Sequence, residues 1–107
     1  MLMTTTGSLA GYRMIAEHGI VEANIVQSKH LGRDIAAGLK SLVGGEIRGY
    51  SEMMTEARSK AKRRLIQQAE AVGANAVVGL RYATSSIAAG MCEILVFGTA
   101  VTVQREG

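Results

Sequence analysis

Gly44, Gly49 and Ser51 stand where a phosphate-gripping loop carries its two glycines and its hydroxyl, with Tyr50 in place of the lysine. In the full pattern G-x-x-x-x-G-K-[ST], backbone N–H groups and an ammonium surround the phosphate oxygens, and a strand leads into the loop. Here a helical pattern leads into it, and no acidic, apolar-led strand follows to hold a metal. The stretch therefore reads first as a helix–helix connection. Gly44 and Gly45 close one helix, and Ser51 opens the next. A weaker anion site, made from helix N-terminal N–H groups with Arg48 nearby, is the functional alternative.

The metal-ligating types are Cys92, His18 and His30, with Glu17, Glu22, Asp34 and Glu93 as carboxylates. Zinc and copper sites use paired spacings such as C-x-x-C or H-x-x-x-H, because two ligands then share one turn or strand face. None of these residues is paired in that way. Cys92 sits among apolar neighbours, as an inert core residue does, and each histidine has the setting of a solvent-facing or capping side chain. A ring of identical subunits offers another route, since it gathers one residue from each copy around an axis. Nucleophilic chemistry has no foundation here: there is no G-x-S-x-G elbow, and neither histidine has an evident serine or cysteine partner. Arg58 and Arg81 lie in apolar surroundings, where a guanidinium usually meets a carboxylate. A non-enzymatic protein is the expectation.

Those residues belong to a chain of 107 residues, enough for one domain, 1–107, with one core. Its 48% apolar and 20% charged content is that of a folded protein. It has no proline and four aromatic rings, so the core must be built from Ala, Val, Ile, Leu and Met. A formal charge of +3 is mild. The densest basic run, Lys60 to Arg64, shares its helix with Glu52, Glu56 and Glu70 and has no stacking aromatics, which argues against nucleic acid. A single cysteine suits a reducing compartment. With no secretory signal and no apolar run of spanning length, the expected location is the cytoplasm and no membrane is involved.

Periodicity supplies the elements. "MLMTTT" is a short β-prone start, and Tyr12–Val26 reads as a strand with Gly19 marking a bulge. Leu31, Ile35, Leu39 and Leu42 make one helical stripe. A second helix runs from an N-cap at Ser51 to Val72, with Gly73 at its C-terminal cap. Met54, Ala57, Ala61, Leu65, Ala69 and Val72 form its buried side, and Glu56 pairs with Lys60 one turn on. Two strands follow. In the first, Val78, Leu80 and Tyr82 face opposite to Val77, Gly79, Arg81 and Ala83. In the second, Leu95, Phe97, Val101 and Val103 face opposite to Cys92, Ile94, Val96, Gly98 and Ala100. Two helices can cover one side of such a sheet, and a second copy of the chain is the economical cover for the other.

"LVGG", then Tyr50, "EARSKA", "AEAVGANAVVGLRY" and "VFGTAV" occur in an order and spacing that resembles the YbjQ-like proteins, described as a putative heavy-metal-binding family. The resemblance covers nearly the whole chain. It implies an α+β subunit, YbjQ-like and dodecin-like, with a small mostly antiparallel sheet and two helices. It also implies assembly into a homo-oligomeric ring, a pentamer or a decamer, through short extra strands. A heavy-metal ion is the implied ligand, and no catalytic residue is implied. The positions matching family motifs are Gly44, Gly45, Tyr50, Ala57, Arg58, Gly73, Ala74, Asn75, Gly79, Gly98 and Thr99. Among these, Tyr50, Arg58, Asn75 and Thr99 carry side-chain chemistry. The candidates for binding a small ligand are thus Arg48, Tyr50, Ser51, Arg58 and Asn75, and those for metal are Cys92, His18 and His30. The family's usual "GGRS" is "GGEI" here, which replaces a basic and a hydroxyl residue with Glu46 and Ile47. Asn75, just after Gly73, is placed to bond the turn's own backbone.

Overall fold

The computed structural model describes residues 1–28 and 45–107, with the side chains of residues 45–48 left aside. Within them, β1 (Leu2–Met3), β2 (Tyr12–Ser28), α1 (Gly45–Ala71), β3 (Ala76–Ala88) and β4 (Met91–Arg105) follow in that order. The four strands make one sheet in the order β1-β3-β4-β2. β4 runs antiparallel to both β2 and β3, and β1 joins β3 in parallel. The class is α+β with a mixed sheet. The expected helix through Leu31, Ile35, Leu39 and Leu42 lies outside the described residues, so among those described a single helix packs on the sheet.

That helix is longer at its start than the sequence pattern suggests. Among the described residues α1 begins at Gly45, and Ser51 sits inside the helix, not at its cap. The Ala, Met, Lys, Arg, Glu and Gln that fill the segment are strong helix formers, and they outweigh the local cap signal of one serine. The other end behaves as expected. Gly73 has φ 83°, its N–H donates to the Glu70 carbonyl, and the Ala74 N–H reaches back to Ala69. This is the Schellman arrangement, with Ala69 and Ala74 both buried as its apolar contact.

The buried stripe of α1 is Met53, Ala57, Ala61, Leu65 and Ala69, one residue every fourth position. A strict four-residue step follows the ridge inclined to the helix axis, so the stripe crosses the helix obliquely, as packing on a twisted ribbon requires. Alanine at three of the five places brings the helix backbone close to the strands. Val72 is not part of the stripe; it lies beyond the last turn and is 47% exposed. Met54 packs at the margin of the core. Against the stripe stand Val21, Ala23 and Ile25 of β2 and Cys92, Ile94, Val96 and Ala100 of β4.

Outside the stripe, polar residues of α1 bond to β2. Gln68 Oε1 accepts the Glu22 backbone N–H at 3.2 Å, Arg64 Nη1 donates to the Asn24 carbonyl at 3.4 Å, and Lys60 Nζ donates to Gln27 Oε1 at 3.5 Å. Residues 60, 64 and 68 are again four apart. β2 is an outer strand, and the helix thereby satisfies part of its free edge.

The alternation in β3 changes at Gly79. Val78 pairs with Thr99 and Arg81 with Phe97, so Gly79 and Leu80 together oppose the single residue Gly98. Gly79 takes φ 63°, the left-handed conformation that a bulge of this kind needs. The extra residue returns Leu80 to the side of Val77, and both lie in the core under the helix, while Val78 faces away with Ala76. The expected split of Val77 from Leu80 fails for this reason. In β2, register shifts fall between Met14 and Ala16 and between Glu17 and Gly19, where Gly19 has φ 96°.

Candidate functional site

The side of the sheet away from α1 is covered unevenly. At one end, Ala76, Val78, Val101 and Val103 form a second small core, closed by Leu9 and Tyr12 from the start of the chain. The N-terminal segment is tied there by the Thr4 N–H to the Val77 carbonyl, the Gly79 N–H to Thr6, and the Leu80 N–H to Thr4. The expectation that another molecule must cover this whole side is thus met in part by the chain itself. Farther along, strand pairing places Ile20 beside Thr99, Glu22 beside Phe97, Asn24 beside Leu95 and Val26 beside Glu93. Partners in an antiparallel ladder share a face. Among the described residues this stretch is open: Ile20 is 77% exposed, Val26 53% and Phe97 36%. Met14 and Ile15 of β2 are exposed as well, as is Ile87 near the far end of β3.

Among the described residues, the candidate metal ligands Cys92 and His18 do not meet. Cys92 is a free, buried cysteine in the core between β4 and α1, where desolvation raises its pKa and favours the neutral thiol over the metal-binding thiolate. His18 is exposed in β2 at the second register shift, its Nε2 2.7 Å from Thr102 Oγ1. The Thr102 hydroxyl also lies 3.3 Å from the Gly73 carbonyl, which it can reach as a donor. His30 and Asp34 lie outside the described residues. Among the described residues no three of His, Cys, Asp and Glu come together as a metal cluster.

The small-ligand candidates are similarly dispersed. The stretch from Gly45 to Ser51 forms the first turns of α1, so the connection imagined between Gly44 and Ser51 is helix for nearly all of its length. Tyr50 packs against the core margin, Ser51 is exposed, and the Arg48 side chain lies outside the described set. Arg58 Nη2 donates to Thr55 Oγ1 on its own helix at 3.3 Å. Asn75 stands past the opposite end of α1, about 30 Å along the axis from Ser51. Its amide does not bond its own turn. Asn75 Nδ2 donates to the Val103 carbonyl at 2.9 Å and Oδ1 accepts the Val103 N–H at 2.8 Å, so the side chain imitates a strand neighbour for β4. Among the described residues Arg81 meets no carboxylate; its Nη1 donates to the carbonyls of Thr5 at 2.7 Å and Leu80 at 2.9 Å. The Glu56–Lys60 pair does form, at 3.3 Å.

A shallow depression runs along the outer side of α1, lined by Ser51, Glu52, Thr55, Glu56, Ser59 and Arg63. Arg63 Nη1 donates to Ser59 Oγ at 3.2 Å within it. It mixes both signs of charge and buries no polar side chain, so it offers nothing a ligand would need to complete. Sequence reasoning did not find Met53, Thr102 or Leu9. Met53 was the one with a signal, since it continues the four-residue step of Ala57, Ala61 and Leu65 backwards.

A small α+β fold, in which one long helix among the described residues packs on a strongly bulged sheet and part of the sheet's other side is left open by those residues, is the class of protein these features define. A solved structure of a DUF74-family protein of unknown function from Pediococcus pentosaceus shares the fold, with a TM-score of 0.65 over 97% of this chain and 98% of that one at 20% identity. The chain belongs to the YbjQ_1 family, described as "putative heavy-metal-binding", which matches residues 1–104. Among its relatives, a UPF0145 protein of Vibrio parahaemolyticus is 58% identical over 101 residues, 94% of this chain and 96% of that protein. One from Halalkalibacterium halodurans is 56% identical over 106 residues, 99% of this chain and all of its own length. One from Thermotoga maritima is 53% identical over 105 residues, covering 98% and 99%.

Proposed function

We propose that this chain is a non-enzymatic binding protein that acts as a homo-oligomer, a pentameric ring or a pair of such rings, in the cytoplasm. Its ligand is a heavy-metal ion or a small anion held where subunits meet. The observation that carries the reading is that, among the described residues, Ile20, Val26 and Phe97 are exposed and Leu95 only half-buried on the side of the sheet away from α1, interleaved with Glu22, Asn24 and Glu93. Burial of such a surface gains roughly 25 cal/mol per Å², and a second copy of the same chain is always at hand to provide it. The family description supports the choice of a metal ion as ligand. His18, exposed beside the bulge of β2, is the described candidate that solvent reaches, and a ring would repeat it around the axis.

Native mass spectrometry at micromolar concentration tests the assembly, with a multiple of the subunit mass expected and a lone subunit overturning it. Elemental analysis of protein purified without a histidine tag tests the ligand. Bound metal that survives Cys92→Ser and falls with His18→Ala is the expected result. Metal well below one ion per ring in the unaltered protein ends the metal reading and leaves an anion-binding or structural, adaptor-type oligomer. Titration with inorganic phosphate, compared with an Arg48→Ala variant, separates those two.

A further inference from the structure

We draw no further inference here: the strongest candidate, the exposed and uncharged far half of β3 from Tyr82 to Ala88, is an unpartnered strand end, and nothing among the described residues shows what covers it.

Discussion

Gly98 is the residue on which the crossing of β3 and β4 most directly depends. A Cβ built there would stand 2.7 Å from Val77 Cγ1 and 3.1 Å from the Val78 carbonyl oxygen. The side chain of Val77 occupies the space that glycine leaves. Gly98→Ala should therefore destabilise the fold by about 1–3 kcal/mol, and Gly98→Val by more, as overpacking does in tight cores. Urea denaturation measures it, and an unchanged midpoint for both variants would mean that β3 moves aside freely. Cys92 gives a pH prediction at the same scale. Burial raises its folded pKa above the free thiol's 9.0, so the unfolded chain loses its proton first as pH rises. Above pH 9 the unfolded state binds fewer protons than the folded one, and stability falls until the folded thiol also ionises. Thermal melts between pH 7 and 10 should show a steeper decline for the natural protein than for Cys92→Ala; parallel curves would refute it.

At the scale of elements, α1 lies on β2 and β4 through a stripe whose small members set the distance. Ala57, Ala61 and Ala69 have no exposed surface at all. Ala61→Leu should push the helix off the sheet and cost about 1–3 kcal/mol, although leucine suits helices nearly as well as alanine. Lys62→Ala, on the helix surface beside it, should stay within about 0.5 kcal/mol. Guanidinium titrations of the two variants separate the packing effect from helix propensity. The bulges work at this scale too. Gly79 in β3 and Gly19 in β2 each let one extra residue into a strand, and each extra residue resets which side chains face α1.

As a whole, the described residues extend 58 × 22 × 16 Å with a radius of gyration of 17.5 Å. A compact domain of this length would have about 13 Å. The elongation follows from the 17-residue β2 and the 27-residue α1 lying along a common ribbon. A ribbon has much surface for its volume, and the described residues leave apolar side chains such as Ile20 and Val26 on it exposed. Ile20→Lys changes a side chain that is 77% exposed in the single chain, so it should cost the fold little. In a homo-oligomer it should lower the assembled mass while the far-ultraviolet circular dichroism stays the same. A variant that assembles like the natural protein would place the subunit contact elsewhere. No described helix is long and apolar enough to cross a membrane.

The amino-acid order by itself determined the family, the long strands, the closing turn at Gly73 and most of the buried stripe of α1. Each of these rests on periodicity or on a conformation that glycine adopts readily. Only the tertiary structure decided which side chains share a face across Gly79, because a bulge is set by pairing with Gly98, 19 positions away in the chain. It likewise decided that Leu9 and Tyr12 close one end of the second side, and that Asn75 serves β4 in place of its own turn. Contacts of that kind depend on strand register, and local spacing carries no record of a distant partner's position.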